Sequence, residues 1–389
     1  MAGIRLVCIT DEYSSLNPGV TTALNGLLVE VSRHPEEFSE IKLISTGTDD
    51  YANVPDRIEH IEFPYPKKSK IGKVWRCPAN FSRKFIDIVK SCNIVHIHGI
   101  WMGPHYYAAR LCLKHNIPFV LTAHGMLEPW HWQDKGVLGY CKKRFYWVAI
   151  VYPVFRKAKV IHAITQLERD NLRILFPENR IEVIPNALDT RQMEIELNHL
   201  ELQAPEPIIL FLGRIHPKKG IDLLIRAFVL ANLPSKWKLV IAGPEDVSGY
   251  ARKLKEFIVV NGLSKKVDFI GPLYGKEKWK MYKRAWIVAV PSHSEVVGMV
   301  NLEAAACCTP SITTHETGLK DWEEGGGILL HPNVVDLTVA LNNAANWSYA
   351  ERKSRGQNSF KLVKEKYSWE VIGRQWVSLY TNIQKMNVG

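Results

Sequence analysis

Along the whole chain, short runs rich in Val, Ile and Leu alternate with longer segments of helical period. That alternation marks parallel sheets flanked by helices, because each parallel strand reaches its neighbour only through a crossover. Strands are expected at 4–9, 41–44, 94–98, 119–122, 160–163 and 181–184, and then at 208–212, 238–242, 267–270, 287–290 and 311–313. Between the two sets, residues 186–207 hold no strand-like run and end in Gln203-Ala204-Pro205-Glu206-Pro207, which predicts an interdomain linker. At roughly 150 residues per domain, 389 residues allow two or three. The expected organisation is two doubly wound α/β domains, residues 1–190 and 191–367, followed by a terminal helix at 368–389. In that tail Trp369, Ile372, Trp376, Leu379 and Tyr380 recur at spacings of three and four, so the helix should pack back toward the N-terminal domain.

With 46% hydrophobic and 23% charged residues the chain is not a disordered one. Seven cysteines, an odd number without a Cys-x-x-Cys pair, argue against a secreted disulfide framework and a structural zinc. The N-terminus enters a strand-like run with no secretory pattern, and the longest apolar stretch, 145–155, is interrupted by Pro153 and falls short of the about 20 residues a membrane span needs. A cytoplasmic protein is expected. Fifty Lys and Arg against 39 Asp and Glu give a net charge of +11, which favours phosphates, anionic lipid or nucleic acid as partners.

In open parallel sheets, ligands sit beyond the carboxyl ends of strands, where helix N-termini present free amides. Two such connections carry chemistry. Pro291-Ser292-His293-Ser294-Glu295-Val296-Val297-Gly298-Met299-Val300 follows the strand at 287–290 and leads into a helix bearing Glu303. Amides at Gly298, Met299 and Val300 suit phosphate oxygens, and Glu295 and Glu303 suit sugar hydroxyls. Taken alone, such a pair more often has Glu295 facing solvent and Glu303 merely complementing the helix dipole. The second connection, Gly213-Arg214-Ile215-His216-Pro217-Lys218-Lys219-Gly220, places Arg214 and Lys219 where cations neutralise a leaving diphosphate. Together, the two loops point to a nucleotide-sugar site.

The Glu-x7-Glu element, the Gly-Arg-x-x-x-x-Lys-Gly loop and the run Leu-Glu-Ala-Ala-Ala-Cys-Cys-Thr-Pro resemble those of the family 4 retaining glycosyltransferases. The resemblance extends over nearly the whole chain and is strongest from 208 to 327. It implies a GT-B fold, with two Rossmann-like domains facing across a cleft. It implies that Arg214 and Lys219 bind the donor diphosphate, that Glu303 holds the ribose, and that Glu295 contacts the transferred sugar. Pro272 and Leu273 fall in the base-contacting loop, Gly19 in the first glycine loop, and His124 where the family has a histidine near the donor sugar. His124, Glu295, Arg214 and Lys219 are thus the expected catalytic group. On the acceptor side stand His98, Trp101 and Trp130. Three departures leave the donor sugar open: Val296-Val297-Gly298 replaces Gly-Phe-Gly, Cys307-Cys308 replaces Cys-Gly, and Pro18-Gly19 replaces Gly-Gly.

No metal or other cofactor is expected, since no Asp-x-Asp triplet occurs and Arg, Lys and a helix end can do that electrostatic work. His96 and His98 share one strand face but have no carboxylate or cysteine near in sequence, and Cys307 and Cys308 are read as helix packing. Two basic runs stand out: Lys67 to Lys90, and Lys135 to Lys159, the latter free of acids and interleaved with aromatics that begin at Trp130. They suit an anionic membrane surface, with solvated charges on a packed helix as the alternative; nucleic acid is not expected as a partner. The resemblance extends to members that build bacterial surface polysaccharides, such as O-antigen, capsule or exopolysaccharide. The expected function is therefore transfer, with retention, from a nucleotide sugar to a lipid-linked or oligosaccharide acceptor at the inner face of the membrane. A nucleotide-sugar epimerase or glycan phosphorylase of the same fold, or a basic membrane- or RNA-binding protein, are the competing readings.

Overall fold

The computed structural model describes residues 3–14, 18–46, 54–64, 75, 83–133, 136–199, 204–246 and 249–388. The chain divides into two units, Met1–Ala187 with Trp369–Gly389, and Leu188–Ser368.

The first unit is built on seven strands: β1 (Ile4–Thr10), β2 (Phe38–Ser45), β3 (Glu59–Glu62), β4 (Ile94–His98), β5 (Phe119–Thr122), β6 (Val160–Ala163) and β7 (Ile181–Val183). All pair in parallel, in the order β3-β2-β1-β4-β5-β6-β7. Leu6 to Thr10 of β1 lie opposite Ile94 to His98 of β4, and His98 in turn lies opposite Thr122. Because side chains alternate along a strand, Val7, Ile9, Val95 and Ile97 enter one core with Phe85, Ala108 and Trp147. Leu6, Cys8, Ile94 and Val120 enter another, closed by Trp369, Ile372, Trp376 and Tyr380 of the terminal helix Trp369–Val388. The three-and-four spacing of that tail is therefore the stripe that covers one face of this sheet.

The second unit has six parallel strands: β8 (Glu206–Leu212), β9 (Lys238–Ala242), β10 (Val267–Gly271), β11 (Ala285–Val290), β12 (Ser311–Thr314) and β13 (Ile328–Leu330), in the order β10-β9-β8-β11-β12-β13. In each sheet the order reverses beside the first strand, at β1/β4 and at β8/β11. Those switch points open the crevice in which doubly wound sheets bind ligands.

Three expectations need correction. The stretch 186–207 is not a bare linker: it holds the helix Thr190–Asn198, capped by Asp189 and anchored by buried Met193 and Leu197, and its last two residues already belong to β8. Cys307 and Cys308 do not continue the helix Met299–Ala306; Cys307 caps it, and Cys308 takes a left-handed φ of 53° that turns the chain toward β12. Pro18-Gly19 is not loop but the opening of the helix Pro18–Ser32, where a proline without an amide is tolerated. Around Pro153 the chain stays helical: it passes through a π-turn, Trp147–Val151, closed by the Tyr152 amide on Trp147 O, and Pro153, which has no amide to place, falls in the first turn of the helix that follows. Among the described residues no helix is long and apolar enough to cross a membrane.

Candidate active site

At the β8/β11 switch point the two loops expected from sequence pack directly on each other. Gly220 has φ of +65°, and a Cβ there would lie 2.1 Å from the Pro291 carbonyl oxygen, so only glycine admits this approach. The His293 amide donates to Lys218 O (2.8 Å), and the Glu295 amide to Glu316 O (3.0 Å). Across this joint Lys219 Nζ forms an ion pair with Glu295 Oε1, which also accepts from Ser292 Oγ (3.1 Å). Ser292 is itself held by Thr314 Oγ1, which donates to its carbonyl (2.7 Å). Arg214 projects from the same connection, exposed and without an ion pair among the described residues.

Glu303 sits one turn into the helix Met299–Ala306. Its Oε1 accepts from Lys278 Nζ (2.9 Å) and its Oε2 from Tyr282 OH (2.8 Å). Both donors come from the helix Gly275–Arg284, which follows the loop containing exposed Pro272 and half-buried Leu273. Gly298 precedes the helix, where a Cβ would meet Asn301 Nδ2 at 2.5 Å. The free-amide expectation holds only in part, since the Met299 amide turns back to Val297 O (2.9 Å). Arg214, Lys219, Glu295, Gly298, Met299, Val300 and Glu303 thus occupy the adjoining loops and first helix turns at one switch point, and Pro272 and Leu273 lie in the loop before the helix that brings Lys278 and Tyr282 to Glu303.

In the first unit, β4 ends in His98, and His124 stands two residues beyond the end of β5. His98 Nδ1 lies 3.0 Å from His124 Nε2 and the rings are stacked. His124 holds an unfavourable left-handed φ of 50°, and the turn is clamped from below. Buried Glu168 accepts the Gly125 amide on Oε1 (2.8 Å) and the Ile164 amide on Oε2 (2.6 Å). Burial, and then the neighbouring His162 and His105, bring the His124 imidazole down to about 3; His98 also lies well below the usual range, for burial first. The pair is therefore neutral at neutral pH and works as hydrogen-bonding groups. Burial raises Glu168 to about 7 against the two amides that favour its charge.

Folding brings Cys8 to the two histidines of β4, so that potential ligand atoms of Cys8, His96 and His98 lie within 4.8 Å of one another. Both nitrogens of His96 are engaged, by Tyr380 OH and Thr122 Oγ1 (both 2.7 Å), and burial pushes the Cys8 thiol up. The group is a hydrogen-bonded core. Trp101 donates from Nε1 to Met126 O (3.1 Å) and packs with Trp132, Tyr146 and Trp147, with Lys143 Nζ 4.6 Å above its ring. Gly19 is exposed with open space around it. Trp130 lies in the short helix Pro129–Gln133, and its side chain is outside the described residues, as are Lys67, Lys68, Lys70, Lys73, Arg76 and Lys135.

Residues 33–192 match the model of Glycosyltransferase Family 4, and residues 192–358 that of Glycosyl transferases group 1. An uncharacterised glycosyltransferase of Methanocaldococcus jannaschii is 30% identical over 313 residues, 77% of this chain and 77% of that protein. The chain belongs to the family 4 glycosyltransferases. A D-inositol 3-phosphate glycosyltransferase of Mycobacteroides abscessus is 33% identical to this glycosyltransferase over 199 residues, 46% of this chain and 44% of that protein. Its fold is GT-B, shared with sucrose-phosphate synthase from Thermosynechococcus elongatus (TM-score 0.73, 19% identity, 97% and 99% of the two chains). It is shared also with Anabaena HepE, solved with UDP-glucose (0.71, 16%, 97% and 100%), and with WaaG, a glycosyltransferase of lipopolysaccharide biosynthesis (0.67, 16%, 97% and 99%).

Sequence reasoning about this glycosyltransferase missed Lys278, Tyr282, Ser292 and Glu168. Lys278, Tyr282 and Glu168 act on site residues from other segments, and Ser292 on Glu295 from within the same loop; of these only Glu168 carries a local signal, since Thr165-Gln166-Leu167-Glu168 reads as a capping box.

Proposed function

We propose that the enzyme transfers a glycosyl group, with retention of configuration, from a nucleoside diphosphate sugar to a hydroxyl of a lipid-linked glycan in bacterial surface-polysaccharide synthesis. The joint of Lys219, Glu295 and Arg214 at the switch point, with Glu303 on the adjoining helix, carries this reading. Arg214 and Lys219 take the diphosphate, Glu303 the ribose and Glu295 the transferred sugar. Pro272 and Leu273 lie along the base, and the amides near Gly298, Met299 and Val300 meet sugar and phosphate. Gly19 approaches the phosphates. His124, neutral and fixed by His98, offers a hydrogen bond to the sugar, and His98, Trp101 and Trp130 serve the acceptor.

The chemistry follows from these assignments. The diphosphate leaves as positive charge develops at the anomeric carbon, and Arg214 and Lys219 stabilise the departing anion. The leaving phosphate accepts the acceptor's proton as its oxygen bonds to the anomeric carbon on the same face. Two cations suffice for this electrostatic work without a divalent metal. The UDP-glucose held by Anabaena HepE and the lipopolysaccharide role of WaaG support the donor and acceptor classes.

A membrane-bound acceptor is further supported by the helix Gly136–Tyr146, which buries none of its residues. It exposes Val137, Leu138 and Phe145 beside Lys142 and Arg144, a combination suited to an anionic leaflet on the cytoplasmic side. The deciding experiment is Arg214→Ala, assayed with a panel of UDP-, GDP- and ADP-sugars and a lipid-linked acceptor. Because Arg214 is exposed, the melting temperature should hold while turnover falls about 100-fold or more. Near-normal turnover would refute the assignment, and the anomeric coupling of the product reads retention directly.

A further inference from the structure

In the second unit a cavity of about 470 Å3 opens at the end of the sheet opposite the Lys219 and Glu295 loops. Its walls come from residues that precede strands: Pro205 before β8, Lys283 before β11 and Cys308 before β12. The helix Tyr349–Lys366 closes it with Tyr349, Arg352 and Lys353. Three lining residues are cations, and among the described residues none is an acid.

Arg352 is the telling member. It is 5% exposed, the one Lys or Arg in the buried class among the described residues. Its Nε donates to Trp286 O (2.9 Å) and its Nη2 to Ala285 O (2.7 Å), while Nη1 has no hydrogen bond or ion pair among the described residues. A buried guanidinium normally faces a carboxylate, because desolvating the charge is costly without a counter-ion. Here burial lowers Arg352 to about 10, and among the described residues no carboxylate pairs with it. Lys283 and Lys353 are likewise without ion pairs among the described residues. The acids nearby are already taken: Glu206 holds Arg284 bidentately (2.6 and 2.9 Å), and Glu194 holds Lys364 (3.2 Å). The fields of Lys283 and Arg352 reach the Cys308 thiol and oppose the upward push of burial, to which the more weakly acting Glu194 adds.

We propose that this cavity is a binding site for a small phosphate monoester. The Arg352 fork with the Lys283 and Lys353 ammoniums supplies the donors that a dianionic phosphate takes, and the Tyr349 ring with Pro205 forms a wall for the organic part. The volume falls within the range of small-ligand sites. The site lies at the far end of the strands from the proposed donor loops, so its ligand occupies a place the nucleotide sugar does not.

The test is calorimetric titration of the full-length enzyme with glucose 6-phosphate at fixed ionic strength, with glucose as the uncharged control. Two variants separate this cavity from the donor loops: Arg214→Ala and the double variant Lys283→Ala/Lys353→Ala. The expected result is saturable 1:1 binding of glucose 6-phosphate, but not glucose, retained in Arg214→Ala and weakened at least about tenfold in the double variant, with melting temperatures unchanged. No saturation by about 10 mM in the wild type would overturn the proposal. So would binding that survives in Lys283→Ala/Lys353→Ala and disappears in Arg214→Ala.

Discussion

Lys219 and Glu295, 76 residues apart in sequence, are ion-paired across the joint between the loops that follow β8 and β11. In the proposed reaction Lys219 serves both this carboxylate and the donor diphosphate, so neither residue should act independently of the other. Lys219→Ala is expected to lower kcat/KM by about 100- to 1,000-fold, and Glu295→Ala by a comparable factor. The double variant should be little worse than the poorer single one, since residues that work as a unit are non-additive. A double variant whose loss equals the product of the two single losses would show that the pair has no shared role. Both side chains are largely but not fully buried, and stability should change by no more than about 1 kcal/mol.

Glu303 presents a different balance, because its partners are structural as well as functional. Tyr282 is fully buried and its hydroxyl ends on Glu303 Oε2, so Glu303→Ala strands a buried donor. The expected cost is about 1–3 kcal/mol in urea unfolding, together with a raised KM for the donor. Glu303→Gln keeps an acceptor for Tyr282 and should recover most of the stability. It should not recover donor affinity if a charged carboxylate is what holds the ribose, and equal recovery of both would remove Glu303 from the donor site.

Glu168 links protonation to the His124 turn. Its folded value of about 7 lies above the ordinary 4.5, so the folded state retains its proton where the unfolded chain has lost it. Its stabilising contribution is therefore complete below about pH 4.5 and is lost as pH rises through 7. Glu168→Gln removes this titration and puts an NH2 group against one of the two amides of Gly125 and Ile164. We expect Glu168→Gln to lose about 1–3 kcal/mol of stability and to reduce kcat more than donor KM, by loosening the turn that fixes His124. Melting curves from pH 5 to 8, alongside kcat and KM, test both parts; an unaltered kcat would detach Glu168 from the site.

What could be read from the sequence divides along physical lines. Interior strands such as β5, β8, β9 and β11 were located because burial on both faces leaves continuous apolar runs. The edge strands β3 and β13 were not: Glu-His-Ile-Glu alternates charge with a single apolar residue, and Ile328–Leu330 is only three residues long. The helix Thr190–Asn198 escaped because nine residues with two buried anchors resemble a polar connection. At the candidate site, the loops carrying Arg214, Lys219, Glu295 and Glu303 stood out through their motif spacing. Their partners did not, since Lys278 and Tyr282 look like residues of an ordinary amphipathic helix, and Glu168 looks like a capping residue spent on its own helix. In the fold the Glu168 side chain passes over the cap and reaches Gly125, 43 residues away.

Beneath the terminal helix, the buried histidines form a directional chain whose protons are fixed by its end. His162 Nε2 faces the Ile184 carbonyl (2.8 Å) and must carry a proton, so Nδ1 accepts from Thr122 Oγ1 (2.8 Å). Thr122 Oγ1 then accepts from His96 Nε2, and His96 Nδ1 accepts from Tyr380 OH. Each ring is neutral, and protonating any one of them breaks a link. Burial lowers all four histidines of this region: His162 to about 4, His124 to about 3, and His96 and His98 well below the usual range. Below about pH 6.5 the unfolded chain binds protons that the folded chain refuses, so stability is complete above that pH and falls as pH drops toward the folded values. Glu168 works in the opposite sense over part of the same window but accounts for only one proton. We therefore expect the unfolding free energy to fall steeply between pH 7 and 5, with a slope corresponding to about two to three protons, each contributing about 1.4 kcal/mol per pH unit. Tyr380→Phe should lower stability by about 1–3 kcal/mol at every pH while leaving that slope in place, because it removes a donor and no titrating group. Urea unfolding at intervals across this range measures both quantities, and a flat profile would show that the histidines are charged in the folded protein.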